Sequence, residues 1–241
     1  SFAGKQLNFD DPRSKLFFDF VRAREKLQPK YFLLENVKMR KEYEDTITRY
    51  MGVAPIEINS ALVSAQNRVR LYWTNIPGIK QPKDRGINLT DILEDDVFTR
   101  PAAIRTRPIP NENYRKSLCL EVNGRNKSLC LTTVQLNNLV SSLPPGRYLD
   151  YDKTKHPARN YSTVEMCRLQ TLPDNYVTGV SLNRAAKLLG NAWTADVIAH
   201  ILSFIPETYL HTVVSLFDGI SCGQVALERA RKIYNQYYAS E

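Results

Sequence analysis

The sequence contains few cysteines, and their spacing predicts neither metal nor disulfide chemistry. Among 241 residues there are four, Cys119, Cys130, Cys167 and Cys222, and they form no Cys-x-x-Cys pair. Zinc sites and disulfide frameworks both need closely or regularly spaced cysteines. We therefore expect reduced thiols, no metal site and an intracellular protein.

Long apolar runs, glycine and proline are also scarce. No stretch approaches the roughly 20 consecutive apolar residues of a membrane-spanning helix, and residues 1–10 lack the charged-then-apolar order of a signal peptide. The composition of 10 Gly, 13 Pro, 43% hydrophobic and 24% charged residues excludes fibrous and disordered chains. We expect a soluble protein without a membrane partner, built as one α/β domain or as a domain plus a smaller lobe.

Positive charge is concentrated in one part of the chain. The sequence has 33 Lys+Arg against 25 Asp+Glu, a formal charge of +8. Residues 97–159 hold 11 of the basic residues and four acidic ones, which is +7 of that total. Such a segment, with Tyr, Asn, Gln and Thr interspersed, suits a polyanion because bound cations neutralise phosphates and release counterions. A solvated surface lobe explains the charge equally well.

The first 76 residues read as an α/β pattern. Helices are predicted from about residue 12 to 27 and over 41–51, and a strand pair is predicted within 56–76. The apolar run at 31–34 predicts a buried parallel strand that delivers Glu35-Asn36-Val37 at its carboxyl end, the edge where open α/β sheets collect ligands. Gln66 to Arg70 fall between the paired strands or on the second of them.

The next 84 residues lose this periodicity, which predicts an inserted β-rich lobe over 77–160. Short β-like runs occur at 117–122 and 128–134. Beyond the lobe, Ser162 and Glu165 have the spacing of a capping box that opens a helix through Gln170. Further helical stretches cover 181–189 and 193–204.

The tail predicts a second strand-to-helix unit. An apolar β-branched strand is expected at 212–216, a glycine-bearing turn at 217–223, a helix at 224–231, and a new strand from Tyr237 with Glu241 at its end. A glycine turn followed about 20 residues later by an acidic residue is typical of nucleotide binding. The turn here is G-x-x-x-G, which is a weak signal alone.

Six blocks together resemble the DNA cytosine-5 methyltransferases. They are Ser-Phe-Ala-Gly-Lys-Gln at 1–6, Glu-Asn-Val at 35–37, Gln66-x-Arg68-x-Arg70, Thr-Val-Glu-x-x-Arg-Leu-Gln with Pro-Asp at 163–174, Gly-Asn-Ala-Trp at 190–193, and Phe-Asp-Gly-Ile-Ser-Cys-Gly at 217–223. The fifth and sixth blocks are most similar to the Dnmt3-like and the phage or bacterial branches. The six blocks span nearly the whole chain.

The resemblance implies a Rossmann-like α/β domain that uses S-adenosylmethionine and carries an inserted β-rich target-recognition lobe. It implies a catalytic domain over 1–76 and 161–210, the lobe over 77–160 and a cofactor-binding unit over 211–241. The implied reaction is methyl transfer to C5 of a cytosine flipped out of double-stranded DNA, as in restriction-modification. A tRNA cytosine-5 methyltransferase and an inactive, DNA-binding regulator remain alternatives. The implied location is the cytoplasm or the nucleoid.

The resemblance also assigns roles to residues. Glu35 is placed at the N3 edge of the cytosine, where charge develops, and Arg70, with Arg68 behind it, at the O2 side and the nearby backbone. The implied cofactor residues are Phe217, Asp218, Gly219, Ile220, Ser221, Cys222, Gly223, Glu241, Asn191, Ala192 and Trp193. The expected DNA contacts are Ser1, Lys5, Gln6, Arg115, Arg125, Lys127 and Arg159.

The sequence departs from the family pattern in two respects. The family nucleophile is a cysteine in a Pro-Cys dipeptide upstream of the block that begins here at Ser1, and none of the four cysteines follows a proline. The glycine turn, which normally opens the family sequence, follows the Gly-Asn-Ala-Trp block, so the order is circularly permuted. Three explanations follow: a segment of the same enzyme outside this sequence, a complementary chain that carries Pro-Cys, or a catalytically inactive relative. We favour the first.

Overall fold

The computed structural model describes residues 15–110 and 115–238. Its helices are α1 (Lys15–Leu27), α2 (Lys41–Met51), α3 (Thr163–Leu169), α4 (Leu182–Asn191), α5 (Ala195–Leu202) and α6 (Cys222–Tyr238). Its strands are β1 (Leu33–Val37), β2 (Ile56–Asn59), β3 (Val69–Thr74), β4 (Arg100–Pro108), β5 (Lys116–Val122), β6 (Leu139–Ser141), β7 (Gly146–Tyr148) and β8 (Ala158–Asn160).

A three-stranded sheet forms the middle layer of an α/β arrangement. The strand order is β1-β3-β2. Side chains alternate between the two faces of a strand, so Leu71 and Trp73 of β3 pack with residues of α1 and α2. Tyr72, on the opposite face, packs with residues of α5 and α6. The predicted α/β class is confirmed.

The expectation of a buried parallel strand at 31–34 is wrong in its bounds, its direction and its burial. The strand begins at Leu33, and its described partner, β3, runs antiparallel to it. Every residue of β1 is half-buried rather than buried. An apolar run indicates that other residues pack on a strand, but it does not indicate the direction of the neighbouring strand. Here the neighbour is β3, the second strand of the pair predicted within 56–76.

A five-stranded antiparallel sheet forms the predicted β-rich lobe. Its order is β7-β5-β4-β6-β8. The β-like run at 117–122 is confirmed as β5, but the run at 128–134 is not a strand, because within the described chain it forms only an isolated bridge from Ser128 to Gln66. Polar side chains of the neighbouring domain take its backbone bonds instead, as described below.

Local signals give the boundaries of α2 and the start of α3. Ser162 accepts a bond from the backbone N–H of Glu165, and the Glu165 carboxylate accepts one from the backbone of Ser162, so the predicted capping box at α3 is confirmed. The helix α2 has acidic residues in its first turn and ends at Gly52, whose φ of 72° is a left-handed conformation that glycine adopts without strain.

The tail differs from its prediction. Residues 212–216 form no strand, since no other described segment pairs with them, and Val213 and Val214 are more than half exposed. The following helix is longer than expected and includes Tyr237 and Tyr238, where a strand was predicted. Residues 224–238 contain no glycine or proline that would end a helix. Glu241 lies outside the described residues.

Candidate active site

The centre of the candidate site is an ion pair between two strands. The register places Glu35 opposite Tyr72 and Val37 opposite Arg70, so Glu35 and Arg70 share one face of the sheet. The Arg70 Nε lies 2.9 Å from the Glu35 Oε1, and the two side chains are only 12% and 17% exposed, respectively. A carboxyl group beside a guanidinium presents an acceptor and several donors to a planar polar ring.

Tyr72 lies beneath the Glu35–Arg70 pair, on the side that faces the protein interior. It is buried between β1 and β2. Burial is the main cause that raises its pKa well above the ordinary value for a phenol, and the charge of Glu35 adds to the shift. The phenol therefore stays neutral and contributes packing, not charge, behind the Glu35–Arg70 pair.

Arg68 is bound by groups of the protein itself. Its buried guanidinium donates to the carbonyl oxygens of Leu131, Gly190 and Ala192, at 3.1, 3.2 and 2.9 Å. Burial chiefly, and then the neighbouring Arg70, lowers its pKa. All of these bonds go to the backbone, so we correct the expected catalytic contact: Arg68 joins the lobe to the turn after α4 and supports Arg70 from behind.

Buried glutamines complete this junction, and sequence reasoning missed their role. The Gln66 Oε1 accepts from the backbone N–H of Leu131 at 2.8 Å, and its Nε2 donates to the carbonyl of Leu169 at 2.9 Å. Gln170 donates to the carbonyl of Leu189 at 2.6 Å. Both glutamines belong to the six sequence blocks described above. Membership of a block does not show which blocks contact one another in the fold.

Two further residues define the junction. A Cβ on Gly190 would lie 2.5 Å from the carbonyl carbon of Thr132, so a larger residue would push the lobe away. The half-buried Cys130 brings its Sγ to 3.3 Å from the Arg68 Nη1 and 3.6 Å from the Arg70 Nη2. Sequence analysis gave Cys130 no role; its thiol packs the lobe against both arginines.

The glycine turn reaches the opposite side of the same junction. Phe217, Gly219 and Ser221 have φ values of 60°, 61° and 60°, and the tight turn they form leads into α6 at Cys222. A Cβ on Gly223 would lie 3.1 Å from the Asp218 Oδ1 and 3.6 Å from the Trp193 ring. Glycine therefore lets the first turn of α6 approach Asp218 and Trp193 closely.

The other expected cofactor residues occupy varied surroundings. The carbonyl of Ile220 accepts a bond from the Tyr176 hydroxyl at 2.6 Å. Cys222 is buried, which raises the pKa of its thiol to about 11. Phe217 is 57% exposed. Asn191 is exposed at the end of α4, and Ala192 is buried beside it.

The expected DNA contacts divide into three groups. Ser1, Lys5 and Gln6 lie outside the described residues. Arg115 and Arg125 are exposed on the lobe, as a phosphate contact requires. Lys127 and Arg159 are half-buried and bound to protein groups, so for these two we correct the expectation of a phosphate contact. Arg159 pairs with Glu165 and Asp95.

Lys127 binds backbone carbonyls instead of phosphates. Its Nζ donates to the carbonyl oxygens of Ala61 at 2.7 Å, Ser64 at 3.1 Å and Ile87. An ammonium group has three N–H donors, and these contacts use all of them. Lys127 thus fixes the lobe to the loop between β2 and β3.

We expect the substitution Lys127→Met to lower the free energy of unfolding by about 1–3 kcal/mol, because it leaves carbonyl acceptors without a donor. The salt dependence of DNA binding should not change. Urea denaturation and salt-titrated binding measure the two effects. The matched control is Lys116→Met at an exposed position of β5. An unchanged stability together with a shallower salt dependence would restore Lys127 as a phosphate contact.

Neither a metal cluster nor a membrane span occurs in the described part of the chain. No group of three or more His, Cys, Asp or Glu side chains in residues 15–110 and 115–238 is arranged to hold a metal ion. None of the helices described above is both long and apolar enough to cross a membrane.

Known proteins share this fold. A solved methyltransferase structure from Entamoeba histolytica superposes with a TM-score of 0.57 at 15% sequence identity, covering 81% of this chain and 69% of the other. The likeness defines a Rossmann-like methyltransferase fold for the chain.

Sequence comparison gives the family. A family model described as C-5 cytosine-specific DNA methylase matches residues 1–51 and 97–207. The chain belongs to this family. The match includes Glu35 and residues 190–193, but not Arg68, Arg70 or the glycine turn, so the placement of those residues rests on the blocks and the geometry above.

Individual relatives agree with the family match. The Type II methyltransferase M1.ScrFI of Lactococcus lactis subsp. cremoris is 30% identical over 227 residues, covering 81% of this chain and 56% of the relative. Type II methyltransferase M.HpaII of Haemophilus parainfluenzae is 25% identical over 241 residues, covering 82% and 66%. The chain thus spans less than two thirds of the length of either relative.

Proposed function

We propose that the chain supplies the base-holding, cofactor-binding and DNA-binding parts of an enzyme that methylates C5 of cytosine in double-stranded DNA. The observation that carries the proposal is the largely buried ion pair between Glu35, in the middle of β1, and Arg70 of β3, in a chain of the cytosine-specific family. The Pro-Cys nucleophile is supplied by a segment of the enzyme, or by a complementary chain, outside these 241 residues.

In this proposal Glu35 and Arg70 hold the flipped cytosine by its polar edge. C5 of cytosine is unreactive until a thiolate adds to C6, and the added electron density then extends to N3. The Glu35 carboxyl group stabilises that charge by sharing a proton with N3, and the Arg70 guanidinium donates to O2. Arg68 does not touch the base, because backbone carbonyls already bind its guanidinium.

The residues at 217–223 and Trp193 fit S-adenosylmethionine, which supplies an electrophilic methyl group when bound. The fit rests on the close approach of Asp218 and Trp193 at Gly223, where a Cβ would meet both side chains, and on a glycine turn leading into a helix N-terminus, which favours polar ligand groups. Phe217 presents an exposed ring for an adenine base. Glu241 remains the proposed ligand of the ribose hydroxyls.

The rest of the molecule takes its roles from this assignment. We propose residues 77–160 as the target-recognition lobe, residues 1–76 and 161–210 as the catalytic domain and residues 211–241 as the cofactor unit in a permuted order. An enzyme of this kind acts where DNA is, in the cytoplasm or at the nucleoid. The absence of a cysteine after proline favours, as the second candidate, a cofactor- and DNA-binding regulator without turnover.

Transfer of labelled methyl groups tests the proposal. The purified protein is incubated with labelled S-adenosylmethionine and either duplex DNA or tRNA, and its intact mass is measured under denaturing conditions. We expect label in DNA from a preparation whose mass exceeds the 27.6 kDa of this sequence or that contains a second chain. Cofactor and DNA binding without label would favour the regulator, label in tRNA alone would favour the tRNA enzyme, and no binding of either ligand would contradict the proposal.

A further inference from the structure

The lobe carries a cluster of arginines around one carboxylate. The Arg107 guanidinium binds both oxygens of Glu121, with its Nε 2.6 Å from Oε1 and its Nη2 2.9 Å from Oε2. Arg105 and Arg147 lie farther away, each with its nearest nitrogen 3.6 Å from a Glu121 oxygen. Three cations thus share one anion, and the cluster keeps a net charge of +2.

The shared carboxylate satisfies one arginine and leaves two available. Arg107 makes the two-pronged contact that guanidinium groups also make with phosphate, and this contact is the main reason why the pKa of Glu121 is lowered. The side chains of Arg105 and Arg147 are 45% and 75% exposed. They are held near each other by Glu121, yet their donors remain accessible to a second anion.

The cluster lies on the face of the lobe sheet that packs against the catalytic domain. The register pairs Glu121 with Ala103 and Arg147, and Pro101 with Val140, so all of these side chains point to one face. Val140 belongs to the buried cluster that also contains Leu131 and Ala192. Arg105 and Arg107 follow Pro101 and Ala103 along β4 on this same face, and Arg105 and Arg147 are exposed there.

We infer that Arg105 and Arg147, positioned by Arg107 and Glu121, bind backbone phosphates of the duplex from which the cytosine is flipped. The inference rests on the proposed function. Glu121 holds the two accessible arginines near each other, and an arriving phosphate adds to them without displacing Arg107. Contacts of this kind position DNA and contribute equally for all sequences.

The inference is tested by DNA binding at several salt concentrations. The logarithm of the association constant falls with the logarithm of salt concentration by about 0.9 for each phosphate contact. For the double variant Arg105→Gln/Arg147→Gln of the full chain, we expect weaker binding and a slope shallower by about 1.8, equally for duplexes of different sequence. The control Arg22→Gln/Arg49→Gln removes two exposed arginines on α1 and α2 and should leave the slope unchanged.

A second variant keeps the inference testable if the double variant does not fold. Glu121→Gln removes the competing carboxylate, so we expect tighter DNA binding and a steeper slope. An unchanged slope in either variant, or a loss equal to that of the control, would overturn the inference while leaving the proposed function intact. Sequence-selective weakening would instead identify base contacts and overturn the phosphate assignment. A wild-type protein that binds no duplex at low salt would overturn the inference and the proposed function together.

Discussion

Replacing Glu35 by glutamine is expected to reduce methyl transfer by roughly 10²–10³-fold, the cost of removing one group aimed at developing charge. Binding of duplex DNA should change less than twofold, because Glu35 contacts the base only after it has left the helix. Single-turnover transfer of labelled methyl groups and equilibrium DNA binding, measured on the enzyme that includes its Pro-Cys nucleophile, separate the two effects.

The control for Glu35 is a second carboxylate on the same sheet. Glu57 of β2 pairs with Lys38 at 2.8 Å, as Glu35 pairs with Arg70, but both partners are largely exposed. Glu57→Gln should affect neither methyl transfer nor DNA binding, since exposed ion pairs contribute little. If Glu35→Gln reduced methyl transfer and DNA binding to the same extent, Glu35 would act only as the structural partner of Arg70.

Short-range signals allowed much of the fold to be predicted from sequence. The helix at 41–51 and the capping box of Ser162 and Glu165 depend on residues within four positions of one another. The strand pair followed from two apolar runs separated by a short loop. In each case the partners that stabilise the element are close in sequence.

The errors concern partners that are distant in sequence. Arg68 was expected to contact the base because it belongs to the Gln-x-Arg-x-Arg block, and Lys127 was expected to contact DNA because it lies in the basic segment. Their acceptors lie 40 to 124 residues away along the chain. The strand at 212–216 was expected from its β-branched residues, yet a strand needs a neighbouring strand. Charge and propensity are local properties, and neither reveals which backbone groups a fold brings together.

The same limit explains why Arg159 was assigned to DNA. Its Nη1 and Nη2 lie 2.7 Å from Oε2 and Oε1 of the fully buried Glu165, and its Nε lies 2.7 Å from Asp95. The Glu165 carboxylate also accepts the backbone N–H groups of Glu94 and Ser162, each at 2.9 Å. The arginine therefore connects β8 of the lobe to the first turn of α3.

Removing the buried carboxylate should be the most destabilising of these changes. We expect Glu165→Ala to lower the free energy of unfolding by about 3–5 kcal/mol, because Arg159 would remain at the lobe–domain contact without its main partner. Denaturant unfolding measures the loss. The control is Asp174→Ala, which breaks the exposed pair with Arg168 next to the same helix and should cost much less. Equal losses for the two variants would mean that the burial of Glu165 has no energetic consequence.

The pair also predicts how stability depends on pH. Burial alone would raise the pKa of Glu165, but the bonds from Arg159 and from two backbone N–H groups outweigh it and lower the pKa below the ordinary 4.5. The folded state therefore binds this proton less tightly than the unfolded state. The resulting stabilisation is complete above pH 4.5 and is lost as the pH falls through the lowered value. Glu165→Gln has no such proton to bind, so its unfolding free energy should fall less steeply below pH 4.5 than that of the wild type, and parallel curves would contradict the lowered pKa.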